Sequence, residues 1–577
     1  MKNLPLLVVV LITTLFATTV SAQTPEQARN FQINATHTGS NTVDHLTPPL
    51  RQRWVVNFGL PMSYPLIADG RVYVTVKQSV GHGTTLYALN AANGSTLWSS
   101  FLGGTFWWSG LCYENGRVFA LNGDGLLRAF DGATGTVVWS ALLPGQFAFS
   151  SAPTAHNGVI YTGGAGSGGT VYATDANTGA LLWTSSVMNG DSSSPAVTSD
   201  GVYVSYACPN VYKLDPATGA KIWHYAPGCS GGGGTNPVLY NLRLYVRDSA
   251  GTIHDSFNGA VIGNFVAKNA PAFSGSRGFF LEGSNVFGTF GTLRARDVDT
   301  NTVLWSFAGD GFLQSAVLVV NDYVYVGSSQ GRLYAVNAAN GQQVWVTQAG
   351  TSIPYVDEHN VSQPVTSFAA GEGLLVVPAS TTLVPYEGDT APPTVTFGNK
   401  NPAPNAAGWN KTAVDISFTV TDDLSGVQSS NPASPLHFGS EGANQTQNVN
   451  VSDNAGNSAT YTSPAVNIDF TLPAVTAAAN PSSAPKRGQP VTVTISGNAS
   501  DALSGIGSSS FNVIDEYGVT QPTGSVTVQA NGSYSFTLSL PATRQGNDKN
   551  GHLYTIVVTV LDRAGNSKTA TTTLTIN

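Results

Sequence analysis

The chain has 577 residues, too long for one hydrophobic core, so several domains are expected. Only 10% of the residues are charged, against about 25% in ordinary soluble domains, and 63 are Gly; this is an all-β, turn-rich composition. The net charge of -8, with no run of Lys or Arg, excludes the basic field a nucleic-acid partner needs.

Residues 1–22 read as a signal peptide. Met1-Lys2-Asn3 precedes an apolar run from Leu4 to Phe16, and Val20-Ser21-Ala22 supplies the small residues for cleavage after Ala22. That run is too short to anchor in a bilayer, and no later run approaches the roughly 20 apolar residues of a membrane span. A soluble exported protein follows, destined for the periplasm or the cell exterior. No Cys stands at the cleavage site to carry lipid. Of three Cys, Cys208 and Cys229 flank one strand pair and are paired as a disulfide, while Cys112, in an apolar strand, reads as a buried, inert thiol.

From Trp54 onward one pattern recurs: a short strand, a turn, a Val-Tyr-Val-like strand, and an eleven-residue unit ending in Trp. Ala88 to Trp98, Ala129 to Trp139 and Ala173 to Trp183 are clear copies, and others end at Trp223, Trp305 and Trp345. Asp or Asn at the third place caps a tight turn, Gly at the seventh takes the positive φ that closes it, and the Trp offers a broad apolar face to a neighbouring sheet. The Trp spacings are 44, 41, 44, 40, 82 and 40, so one Trp is missing, with Gly263 or Phe265 in its place. A last half-repeat reaches Tyr386 without a Trp, whereas Trp54 lacks a first half. The segment from Arg51 to Phe58 is therefore expected to complete the last sheet, closing a ring of eight.

The eleven-residue unit resembles the tryptophan-docking motif of the pyrroloquinoline quinone repeat family, and His37-Thr38-Gly39 resembles that family's N-terminal lead-in. The resemblance covers residues 30–388 and implies an eight-bladed β-propeller over 23–388. The family includes quinone-dependent alcohol dehydrogenases and a non-catalytic propeller of outer-membrane protein assembly.

Beyond Gly388, Asp389-Thr-Ala-Pro-Pro and Asp469-Phe-Thr-Leu-Pro open two segments, 389–468 and 469–577, with alternating strands such as 414–420 and 554–560. They resemble bacterial immunoglobulin-like β-sandwiches. Their paired motifs, from Asp423 and Asp501 and from Asp453 and Asp562, could offer oxygens to calcium but read as turn residues beside Gly.

A dehydrogenase of the family would need calcium ligands, a carboxylate base, adjacent cysteines and long insertions around the quinone. No Cys-Cys pair exists, the repeats are nearly minimal, and most propeller acids sit at turn positions. No cofactor, neither pyrroloquinoline quinone nor calcium, and no catalytic residue is assigned. A Ser-His-Asp triad need not be close in sequence, but no elbow motif marks one.

The loops joining one repeat to the next are aromatic: Phe106-Trp107-Trp108, Phe147 and Phe149, His224-Tyr225, Phe312, and the long 351–363 loop with Tyr355, Asp357, Glu358 and His359. They suit recognition of a protein or glycan, or else they pad the blade junctions and plug the channel. His359 beside two exposed carboxylates reads as solvated loop rather than a metal site. The expectation is a monomeric, non-enzymatic binding or scaffold protein, with a quinone-dependent enzyme and an outer-membrane assembly factor as alternatives.

Overall fold

The computed structural model describes residues 26–44, 46–165, 168–190, 192–228, 233–248, 251–283 and 290–577. The expected signal peptide and Cys229 lie outside them; Cys208 is disulfide-bonded and Cys112 is free and buried. Among the described residues every regular element is a β-strand, and the chain divides into two compact units, one ending at Asp389 and one running Thr390–Asn577.

Among the described residues the first unit contains eight sheets, seven of them built on a meander of four antiparallel strands from the axis outward. In the first blade these are Leu66–Ala68, Arg71–Lys77, Thr84–Asn90 and Thr96–Gly103. The innermost strand is short and wholly buried and the outermost alternates toward solvent, as expected when only one edge of a sheet faces water. The later blades span 109–142, 154–186, 196–225, 238–264, 272–307, 318–348 and 369–387. The eighth has only three strands of its own. Arg51–Gln52 and Val56–Asn57 both pair antiparallel with its Thr382–Glu387 strand, in the registers Arg51↔Glu387 and Val56↔Leu383. Its innermost strand, Ala369–Gly371, lies beside Leu66–Ala68 of the first blade, so the ring closes as the Trp count requires.

The tryptophans are the mortar between blades. Trp98 sends its Nε1–H to the carbonyl of Gly132 (3.0 Å) in the next blade's turn, and its ring lies on Gly135, where an added Cβ would come within 2.5 Å of Cδ2. Gly135 has φ +73°, so the turn and the docking ring both need glycine there. Trp54, Trp139, Trp183, Trp223 and Trp305 repeat the bond, to the carbonyls of Ala91, Ala176, Pro216, Ser256 and Ala338. Trp345 instead meets Tyr386 edge to face at 5.6 Å. In the degenerate blade Gly263 holds the Trp register, opposite Ile253, where five other blades set Trp against Ala and one sets Trp223 against Lys213. The bulk is made up by Ile253 and by Phe265, which packs with Tyr245 and Phe280.

The segment 28–41 crosses the propeller axis and touches the innermost strand of every blade. Ala28 exchanges backbone bonds with Ile67, and Tyr113 N donates to Arg29 O (2.8 Å). Asn30 Oδ1 accepts from Ala155 N (2.8 Å). Val197, Leu239, Phe273 and Val319 donate in turn to the carbonyls of Ala35, Thr36, Thr38 and Gly39, and Asn41 Nδ2 reaches Ala370 O (3.2 Å). The first residues of the ring thus bond an inward backbone group of each of the eight blades, which an open channel would leave to water.

In the second unit, residues 394–468 form small sheets sharing a core of Val395, Val414, Ile416, Phe418, Val449, Val451 and Val466. Residues 474–577 form a larger pair built on the long strands Val491–Ser500, Ile506–Asp515, His552–Asp562 and Ser567–Ile576. The equivalent of Asp501 is Asp422, not the expected Asp423. Asp501 Oδ1 accepts from Leu503 N and Gly505 N, and Asp422 Oδ1 from Leu424 N and Gly426 N.

Candidate functional site at the mouth of the propeller

Because each blade is an even-stranded meander, the connections from an outermost strand to the next innermost strand emerge at one end of the ring, together with the loops between second and third strands. A ring of small polar residues lies just inside this mouth, four places before the residue that meets the axial segment: Ser63, Ser109, Ser151, Ser193, Thr235, Asn269, Ser315 and Thr366. The Oγ atoms of Ser63, Ser151, Ser193 and Ser315 accept from Thr75 N, Gly163 N, Ser205 N and Gly327 N. These hydroxyls are structural.

The aromatic candidates divide. Trp108 and Phe149 are fully buried beside Cys112 and Phe119, and Phe149 fills the space above Gly125 and Gly164. Both are padding and leave the candidate surface. His224 and Tyr225 lie on the outermost strand Lys221–Tyr225 rather than in a loop, His224 stacked on Tyr212 at 3.9 Å and Tyr225 edge-on to His254. The others are presented to solvent. Trp107, bonded through Nε1 to Gly81 O (2.8 Å), forms a half-exposed group with His82 and Lys77, whose Nζ lies 4.9 Å over its ring. Phe147 is 76% exposed, Phe312 rests against Phe290, and Tyr355 donates to Asp357 Oδ2 (2.9 Å).

Asp357, Glu358 and His359 do not converge on a metal. Glu358 turns inward and is buried with Arg247, whose Nη2 lies 2.8 and 2.7 Å from its two oxygens, while His359 Nε2 accepts from Gly234 N (3.3 Å). Arg247 also donates to the carbonyls of Lys268 and Asn236. Next to it, Asp248 accepts from the Ser205 hydroxyl, and burial pushes its carboxyl above the usual range. Below lies His37, wholly buried between Pro237 O and Thr154 Oγ1; burial holds its imidazole down at about 4, so it is neutral at pH 7. Sequence reading passed over Arg247, yet a signal exists. Its repeat position holds Thr75, Leu121, Gly163, Ser205, Leu281, Gly327 and Pro378 in the other blades, and a lone charged residue among these uncharged ones is conspicuous once the repeats are aligned.

The residues at this mouth do not fit pyrroloquinoline quinone. Phe31, Gln32 and His37 fill the axis, Asp248 is engaged by Ser205, and Glu358 is engaged by Arg247. In the second unit, Asp469, Asp501 and Asp562 bring carboxylate oxygens within 4.8 Å of one another, the kind of oxygens calcium takes. Each also caps backbone N–H groups, including those of Thr471, Gly505 and Asn566, as turn residues do.

Comparison with known proteins places this geometry in a family. The chain is 27% identical over 161 residues to the tetrathionate hydrolase of Acidithiobacillus ferrooxidans, a match spanning 28% of this chain and 29% of that protein. The structure of quinohemoprotein alcohol dehydrogenase from Comamonas testosteroni superposes with a TM-score of 0.51 at 16% identity, over 63% of this chain and 81% of that one. BamB from Moraxella catarrhalis gives 0.45 at 17% identity, over 59% of this chain and 98% of its own. At these identities the structural likeness concerns the propeller fold alone. The sequence family described as outer membrane protein assembly factor BamB matches residues 40–169, 167–260 and 250–390, more than half of the chain. The chain is therefore a member of that family of quinoprotein-like β-propellers.

Proposed function

We propose that the chain is an exported, non-enzymatic binding protein whose propeller mouth docks a protein partner, with the C-terminal sandwiches, read as immunoglobulin-like, serving as spacers or adhesion modules. The observation that carries this reading is the contrast at the mouth. The axis is filled by the chain's own residues, while Phe147, Met188, Phe312 and Tyr355 stand 76, 54, 40 and 47% exposed on the loops around it. Apolar and aromatic groups on a rigid frame lose little entropy on docking and bury much area. Kinship with an assembly factor supports a protein partner.

The test is capture by the full chain from an extract of exported proteins, repeated with Phe147→Ala and Trp107→Ala. Loss of a defined partner with unchanged melting supports the reading. Capture of glycans and not proteins reassigns the ligand, and dye-linked alcohol oxidation with added pyrroloquinoline quinone and calcium overturns it. A second reading, an exported hydrolase, draws on the hydrolase match and on Asp248, a buried carboxyl whose raised pKa suits a proton donor. Turnover of tetrathionate, lost in Asp248→Asn, is its test.

A further inference from the structure

Residues 349–368 form a strap of 20 residues without a strand, far longer than an ordinary connection and of the length that lids and binding loops have. Among the described residues, the main chain of 354–364 makes no backbone-to-backbone hydrogen bond. Between the backbone anchors at Ile353 and Val365, its inward hold is the contact of Glu358 with Arg247, helped by His359 on Gly234 N and by Val356 against the first blades' core. A segment so tethered opens at a fraction of the cost of unfolding the blades.

Arg247 is not a spent partner. Glu358 places both oxygens on the single nitrogen Nη2, and Arg247 Nε, also buried, has no acceptor among the described residues. A guanidinium binds a carboxylate best through two parallel N–H···O bonds, so Glu358 holds it in a poorer geometry than a free ligand could adopt. The neighbouring groups tolerate an anion. His37 is neutral, burial favours the protonated form of Asp248, and the Lys268 and Asn236 carbonyls accept from Nη1 and Nη2 of Arg247.

We propose that Arg247 is the anchor of a site for a small organic carboxylate, and that Glu358 on the strap is its tethered stand-in, so that ligand binding and strap release are one event. The site shares the strap, through Tyr355, with the docking surface proposed above, but its readout is a small acid and not a partner protein.

Succinate is the probe, at constant ionic strength, with neutral succinamide as control, on the full chain. Removing the tethered competitor in Glu358→Ala raises succinate affinity roughly 10- to 100-fold, the worth of a charged hydrogen bond. Arg247→Met in that background abolishes binding. Glu358→Gln, which keeps an acceptor without the charge, gives an intermediate gain and stands in if the alanine variant does not fold. In the wild type, saturating succinate accelerates chymotryptic cleavage after Tyr355. Unchanged affinity in both Glu358 variants, binding that survives Arg247→Met, or equal effects of succinate and succinamide on cleavage overturns the proposal.

Discussion

Asn301 donates through Nδ2 to the carbonyl of Asn264 at 3.0 Å, across the junction where no tryptophan docks. In the other turns of this kind the equivalent residue is a Gly lying under the preceding blade's Trp. Here the Trp register is held by Gly263, no ring needs the space, and an Asn at φ +56° closes both turn and junction. Loss of the Trp and loss of the Gly are one change, because the Gly serves the ring as much as the turn.

Gly135→Ala therefore destabilises by about 2–4 kcal/mol, combining a clash with the Trp98 ring and a left-handed backbone. Asn301→Gly changes stability by no more than about 1 kcal/mol. Chemical denaturation of the two variants measures the difference. Equal losses would show that the turn, and not the ring, sets the need for glycine.

Trp108→Ala empties a fully buried site and costs about 3–5 kcal/mol, whereas Trp107→Ala, half exposed, lowers the melting temperature little. Calorimetry on the two separates padding from surface.

Asn30→Ala leaves the Ala155 N–H and carbonyl without their axial partner in a buried setting. A loss of about 2–3 kcal/mol follows. Hydrogen exchange at Ala155 is expected to quicken more than at Ala196, on a neighbouring innermost strand.

His37 gives the fold a pH dependence with a definite sign. Its pKa falls from 6.5 to about 4 on folding, so above pH 6.5 both states are neutral and its contribution is intact. As pH drops from 6.5 toward 4 the unfolded chain takes the proton and the folded one does not, and stability falls by about 3 kcal/mol. In His37→Gln that component is absent. Urea titrations of both proteins between pH 7 and 4 check this; parallel curves would refute it.

The sequence by itself determined the ring: the Trp period, the turn chemistry that makes it, the missing Trp between Trp223 and Trp305, and the closing strand around Trp54. These are local or periodic features, and one small solution repeated around the ring repeats its signal with it. What only the tertiary structure decided is what happens on the axis. That Trp108 faces the core and Trp107 the solvent, that residues 28–41 stitch every blade, and that Glu358 reaches Arg247 across 111 positions are contacts made once, between segments remote in sequence. A single contact leaves no period to read, and its partners are chosen by which side chains the closed ring brings to its centre.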